Sequence, residues 1–355
     1  MTARQPVCSL LCLALGLGAA EADPASVAPA PMPPPPAAAE AAPAAAEAAP
    51  EPVVTDPPPS GTMQTAAPAS AGQRPRFGAE ITLAGGYDSN ALLLNDLNPV
   101  VTDLDGPALW ADLALRWRII SDRDHRLEAT ARLAYDGYDS DEARQMHYGA
   151  NLVWAKRYDR WLPGAAFGGY RYHLDGEAAA TVGTATLSAN RAATTWAALP
   201  MIEALWIDYD DYDIASGILV AAHYQHWFLL RPQDPRCRLE AGLRIGQYAA
   251  EEDFESFLTV RPVLTLRWHP AGTGEAGRWD FAAALSADLR SYDKPVPIAT
   301  DEETSTTFGI RVEGDRRLSP WLRGGIFAGY GQRDSNFSSR DYDRFQIGLR
   351  LGANL

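Results

Sequence analysis

From Phe77 onward, apolar side chains return at every second position, in one short segment after another. Phe77, Ala79, Ile81, Leu83, Gly85 and Tyr87 line one face of the first segment. Leu109, Ala111, Leu113, Leu115, Trp117 and Ile119 line the second, and Leu127, Ala129, Ala131, Leu133 and Tyr135 the third. The pattern continues in Met146 to Trp154, 162–172, Ile218 to Phe228, Leu239 to Ile245, Leu258 to Trp268, Trp279 to Leu289, Phe308 to Val312, 321–331 and 342–355. Side chains of a strand alternate between its two faces, so each segment reads as a strand with one apolar and one polar face. No hydrophobic run beyond residue 75 approaches the roughly 18 residues of a membrane helix. The class implied is all-β.

The polar faces separate a sheet in water from a sheet in a membrane. They carry Asp112, Arg116, Arg118, Arg126, Glu128, Arg132 and Asp136, then Arg238, Glu240, Arg244, Arg261, Arg267, Asp280, Asp288, Arg290, Arg311, Glu313, Arg323, Arg344 and Arg350. A soluble sheet could hold these in bulk water. A membrane barrel must turn them to its lumen, because Arg at the bilayer midplane costs about 2–4 kcal/mol. The chain as a whole has a formal charge of −14. Its acids gather in connections: Asp139 to Glu142, Asp208 to Asp213, Glu251 to Asp253, Asp301 to Glu303. The lumen candidates are Arg116, Arg118, Arg132, Arg244, Arg261, Arg267, Arg311 and Arg350, with Glu128, Glu240 and Glu313. Such a lumen can attract anionic solutes. The same residues can also pair across neighbouring strands and brace the wall.

Connections alternate in length. Those at Ser121–His125, Arg231–Arg236 and Asp315–Pro320 are short; Ser89–Gly106, Ala249–Ser256, Ser291–Thr304 and Gln332–Asp341 are longer or more acidic. Short turns on one rim and long loops on the other is the arrangement of membrane barrels. Tyr87, Trp117, Tyr135, Trp154, Tyr172, Trp268, Trp279, Trp321 and Tyr330 lie near strand ends, where interfacial girdles would put them. Region 174–215 is the weakest in pattern: Ala178–Ala189 and Ala197–Asp208 can each be strands, and a short helix over 191–205 is an alternative. With both ends of the barrel on one side the strand count is even, which leaves about twelve or about fourteen.

The last segment, Phe345, Ile347, Leu349, Leu351 and Leu355 on one face, suggests a sheet that closes by pairing its final strand with its first. It resembles the terminal strand of bacterial outer-membrane barrels, which implies recognition by the barrel-assembly machinery. Those chains usually end in an aromatic residue, where this one has Leu355.

The N-terminus reads as a signal peptide over 1–22: Arg4, an apolar run Val7–Ala20, and the cleavage-like Ala20-Glu21-Ala22. Cys8 and Cys12 fall within it, so the mature chain keeps Cys237 alone, expected as a small strand residue. Residues 23–75 are dominated by Ala and Pro, including Pro33–Pro36 and Pro57–Pro59. Lacking large apolar side chains, they are expected to form a disordered, partly extended tether in the periplasm. The barrel is expected over 76–355.

Enzyme motifs are absent from the sequence: no G-x-S-x-G, H-E-x-x-H, Walker-type loop or CxxC. His223 and His226, three apart on a strand, point to opposite faces. The acidic run Asp208–Asp213 lacks the Gly and the spacing of an EF-hand. No catalytic residue, metal, cofactor or nucleic-acid partner is expected.

The run Gly85-Gly86-Tyr87-Asp88-Ser89-Asn90, a first strand opening into a long loop, is similar to the barrel of surface lipoprotein assembly modifiers and related repeat-linked outer-membrane barrels. Tyr170 to Glu177 looks like a loop-opening motif of the same barrels. The resemblance covers about 77–355 and implies fourteen strands. It also implies export of a lipoprotein client, although the helical repeats of that family are replaced here by the Ala/Pro segment. The expectation is therefore a closed antiparallel transmembrane β-barrel in a Gram-negative outer membrane, in contact with lipid and lipopolysaccharide. It would act as a pore or export conduit, with lipoprotein translocation, export of polysaccharide or another anionic polymer, and an outer-membrane enzyme as alternatives.

Overall fold

The computed structural model describes residues 76–90, 105–122, 124–138, 144–193, 195–210, 213–231, 234–270, 279–295, 302–337 and 341–355. The expected signal peptide (1–22) and tether (23–75) lie outside the described residues, as do Asp139–Glu142 and Asp301.

Fourteen strands form one closed antiparallel barrel. They are β1 Phe77–Asp88, β2 Gly106–Ser121, β3 His125–Tyr138, β4 Gln145–Lys156, β5 Trp161–Leu174, β6 Glu177–Ala192 and β7 Trp196–Tyr209. The second half is β8 Gly217–Arg231, β9 Asp234–Ala250, β10 Phe257–Trp268, β11 Trp279–Tyr292, β12 Thr304–Arg317, β13 Leu322–Ser335 and β14 Tyr342–Asn354. Each pairs with its sequence neighbours, and β14 closes on β1 from Glu80↔Asn354 to Asp88↔Gln346. Leu355 extends the closure: its amide donates to the Ala79 carbonyl at 2.8 Å, and its carbonyl accepts from the Ala79 amide at 3.1 Å. Closure leaves no unpaired edge, as hydrocarbon requires.

Of the two readings of region 174–215, the structure forms both strands, as β6 and β7. Their joint presence keeps the count even and both barrel ends on one rim. β2, β4, β6, β8, β10 and β12 end at that rim. β1, β3, β5, β7, β9, β11 and β13 end at the opposite rim, where β5 joins β6 through Asp175 and Gly176 alone. The two-residue connection is a tight hairpin: Asp175 and Gly176 both have positive φ, 49° and 83°. Two left-handed residues match the twist of the strands they join.

The faces are inverted relative to a protein that folds around a dry centre. Along β14 Leu349 is 66 % exposed, while its neighbour Arg350 is 5 % exposed. The same contrast runs round the wall, with Leu83, Leu115, Leu152, Val220, Ile245, Leu264, Leu285, Ile310 and Ile326 all exposed. Every strand has at least 12 residues, more than the 9–11 or so that cross a bilayer core when tilted. Tyr87, Trp117, Tyr135, Trp154, Trp268, Trp279, Trp321 and Tyr330 are on the exterior. Tyr172 is not: its side chain is buried in the interior. An irregularity in the β5–β6 pairing sits beside it, between Tyr172 and His173.

Candidate functional site

Because alternation is strict, the exposed Leu and Ile positions fix the direction of everything between them. All eleven ionisable lumen candidates (Arg116 to Arg350) stand on the face opposite the exposed belt. The ladders then bring them into clusters. On β2 and β3, Glu128 is buried among three guanidinium groups: Arg116 Nε at 3.1 Å, Arg118 Nε at 3.5 Å and Arg126 Nη2 at 3.1 Å. Arg132 grips Asp112 on the next strand through Nη2 at 2.6 Å and Nε at 3.1 Å. On β9 and β10, Glu240 accepts from Arg267 Nε at 3.0 Å and pairs with Arg238, whose guanidinium lies 5.4 Å from the Trp227 ring centroid. Glu203 of β7 pairs with Arg244 and sits 3.2 Å from His223 Nε2. Arg350 spans β14 to β12, pairing with Asp315 and donating to Glu313 at 3.0 Å. Arg311 approaches Glu313 at 3.8 Å and covers the Phe327 ring at 4.9 Å. Arg261 is paired in register with Arg244, which places two cations side by side on the inner wall.

Two of the alternatives read from the sequence thus meet in one arrangement. Arg and carboxylate do brace neighbouring strands. At Arg350 one cation meets two carboxylates, but Glu128 and Glu240 each serve more than one cation; even with Glu80 3.8 Å from Arg116, these two clusters carry more guanidinium than carboxylate groups.

Some of the interior is not polar at all. Toward the rim of the acidic loops, Tyr170, Tyr172, Val182, Leu205, Ile207, Tyr209, Leu219, Tyr248, Phe257 and Tyr292 form one buried cluster running from β5 to β11. Two connections fold onto it with the same construction, a short 3-10 turn followed by a serine. Ser216 Oγ accepts from the Tyr209 amide, and Ser256 Oγ from the Ala250 amide, each at 2.9 Å. The turns are laced together: Glu251 N donates to the Ser216 carbonyl at 2.8 Å, and Asp293 N to that of Ser256 at 2.9 Å. Tyr248 Oη also donates to the Ala215 carbonyl. Of the acidic run 208–213, Asp210 accepts from Arg171 at 2.7 Å and Tyr209 points into the cluster.

The sequence run Gly85 to Asn90 proves to be the closing seam. Asp88, with no exposed surface, is held by Arg344 Nε at 2.9 Å and Nη2 at 2.5 Å, and by Gln346 Nε2 at 2.8 Å, both from β14. Ser89 Oγ accepts from the Phe345 amide at 2.7 Å, and Asn90 Nδ2 donates to the Asp343 carbonyl at 3.1 Å. Lower down, Gly86 opposes Gly348. A Cβ on Gly86 would lie 2.1 Å from the Ile347 carbonyl oxygen, and one on Gly348 would lie 2.7 Å from the Phe327 ring. With no side chains there, Phe327 of β13 reaches towards Trp110 of β2 and meets it edge-on at 5.6 Å. First and last strands are therefore tied at the rim by charge and across the inside by an aromatic pair.

His223 and His226 face opposite ways, His226 stacking on Trp196 outside. Among the described residues, no group of three or more His, Cys, Asp and Glu is placed to hold a metal ion. Cys237 is a partly buried free thiol on β9. Phe345, Ile347, Leu349, Leu351 and Leu355 are all exposed at the seam.

A closed antiparallel barrel with an apolar exterior and a charged interior is a transmembrane β-barrel: only a nonpolar solvent outside makes that inversion stable. No family model matches the chain, and no curated protein matches it. Among solved structures it is similar to a bacterial polysaccharide outer membrane secretin, with 10% identity over 78% of this chain and 98% of that one, TM-score 0.46. It is also similar to the outer membrane protein OpdK of Pseudomonas aeruginosa (10% identity, 79% and 99% covered, TM-score 0.41). A third is OccAB4 of Acinetobacter baumannii (8% identity, 81% and 100% covered, TM-score 0.42).

Proposed function

We propose that the protein is an outer-membrane pore or export conduit whose inner wall favours anions. The rim of short turns, where both barrel ends lie, faces the periplasm; the rim of acidic loops faces outward, among lipopolysaccharide. The observation that carries the reading is the charge ratio at Glu128 and Glu240, above all the three guanidinium groups set against Glu128 and Glu80. A fixed excess of positive charge on a low-dielectric wall raises the local concentration of anions. No covalent step is involved.

The seam favours axial passage over sideways release. A conduit that delivers a lipidated client into the membrane plane would have to pull neighbouring strands apart, and β1 and β14 are joined by buried charge, Ser89 and Asn90, while the Phe327–Trp110 contact bridges the strands on either side of them, β13 and β2. A soluble anion or anionic polymer moving along the axis needs no such opening. The exposed C-terminal face from Phe345 to Leu355 is the segment that the assembly machinery would read.

The test is planar-bilayer conductance of the purified chain under a salt gradient. A reversal potential of the sign for anion preference is expected. Cation preference, or no conductance from correctly folded protein, refutes the reading.

A further inference from the structure

We propose that the outer surface around Arg191 binds the phosphate of a glycerophospholipid in the leaflet at the short-turn rim. Arg191 is near the end of β6. In the ladders it is opposite Trp161 on one side and Ala198 on the other, and both belong to the outward set. Its guanidinium lies between two indoles, 5.4 Å from the Trp161 centroid and 5.7 Å from that of Trp196. His226 stacks beyond Trp196 at 5.7 Å, and Tyr224 Oη lies 3.2 Å from His226 Nδ1.

Two features set this cation apart. Arg116, Arg118, Arg126, Arg132, Arg238, Arg244, Arg267, Arg311 and Arg350 inside all have carboxylate partners; among the described residues no carboxylate pairs with Arg191. It also stands at interfacial depth, where indoles prefer to lie and where the available anion is the lipid phosphate. Arg offers a planar donor fork that matches phosphate oxygens, and aromatic faces hold it in place without neutralising it. One level towards mid-barrel the outward positions are small or flat: Pro163, Ala189 and Pro200. The next level towards mid-barrel carries two prominent side chains paired across β6 and β7, Leu187 at 60 % and Ile202 at 58 % exposed. This shallow step lies on the bilayer side of the cation, where the glycerol backbone follows the phosphate, and the Leu187–Ile202 pair below it offers an apolar surface to the acyl chains.

The test is native mass spectrometry of the detergent-purified full chain. The probes are phosphatidylglycerol, phosphatidylethanolamine and diacylglycerol of matched acyl chains, with inorganic phosphate as competitor. Both phospholipids should be retained about tenfold or more over diacylglycerol, the size expected of a charge-assisted hydrogen bond. Arg191→Gln should abolish that preference and Arg191→Lys keep some of it. Ala189→Trp, which fills the step and leaves the charge, should weaken all three lipids. Folding is checked by heat-modifiable migration, and if the Gln variant does not fold, the Lys and Trp variants decide. Equal retention of diacylglycerol, unchanged binding by Arg191→Gln, or displacement of lipid by inorganic phosphate would each overturn the proposal. Failure of the wild type to insert into liposomes would instead refute the membrane reading on which the proposal rests.

Discussion

Replacing Asp88 with Ala should open the barrel at its seam before any other point. The carboxylate has no exposed surface, and it accepts from Arg344 through two nitrogens and from Gln346 through a third. The Arg344 side chain is itself only 11 % exposed, so the substitution leaves a guanidinium inside the wall without its main counter-charge. Removing one partner of a buried pair costs about 3–5 kcal/mol. Asp88→Asn keeps the shape and some of the hydrogen bonds, so its cost should be nearer the 1–3 kcal/mol or so of an imperfectly satisfied buried group. Urea unfolding of the liposome-inserted barrel, followed by Trp fluorescence, gives these differences. The double variant Asp88→Ala with Arg344→Met should be less damaged than the sum of the two single changes, with a coupling of about 0.5–3 kcal/mol. If Asp88→Ala costs no more than the 0.5 kcal/mol or so of an ordinary surface change, closure does not depend on this cluster and the assignment of the Gly85–Asn90 run is wrong.

Further outcomes follow from the same geometry. Gly86→Val should yield no heat-modifiable folded band, since the first added carbon already meets the Ile347 carbonyl oxygen at 2.1 Å. Glu128→Gln should strengthen anion preference in bilayer recordings, because Arg116, Arg118 and Arg126 would then lack their shared carboxylate charge; a shift towards cations would contradict the inner-wall account. In the β2–β3 turn, Asp122 Oδ1 accepts from the amides of Asp124 at 2.8 Å and His125 at 2.6 Å, which hold its carboxyl below the usual range. A depressed folded value stabilises above the unfolded pKa of about 3.9 and loses that contribution as pH falls through the folded value. The difference in urea midpoint between wild type and Asp122→Ala should therefore be present at neutral pH and close in acid; a gap that widens in acid counts against this.

Strand existence was legible wherever the two faces differ in chemistry. Leu349 beside Arg350, or Ile310 beside Arg311, cannot be read as anything but period 2. Region 174–215 is harder, and the structure shows the reason. On β7 the inward Leu205 and Ile207 join the aromatic cluster and Leu199 and Met201 are buried beside Glu203, while Ile202 and Trp206 face outward, so apart from Glu203 these positions are apolar on both faces and the alternation is faint. On β6 small residues such as Ala185 and Gly183 outside oppose Val182 and Thr186 inside, again without contrast. The inner aromatic cluster is hidden in the sequence for the same cause, and Tyr172, whose place near a strand end suggests an interface residue, belongs to that cluster. An apolar run on both faces of a strand in an otherwise alternating barrel is the signal that points to it. The seam motif was visible as a string, but its work depends on Arg344 and Gln346, more than 250 residues away. Only the closure of the ring brings them together.

The central claim is that hydrocarbon lies outside the ring and charge lies within. Single spin labels at successive positions 308–313 of β12, in the liposome-inserted chain, test it directly by comparing accessibility to oxygen and to a polar nickel complex. The account predicts oxygen-favoured labels at Phe308, Ile310 and Val312, with Gly309, Arg311 and Glu313 showing the opposite preference. The reverse alternation, or none, would contradict it.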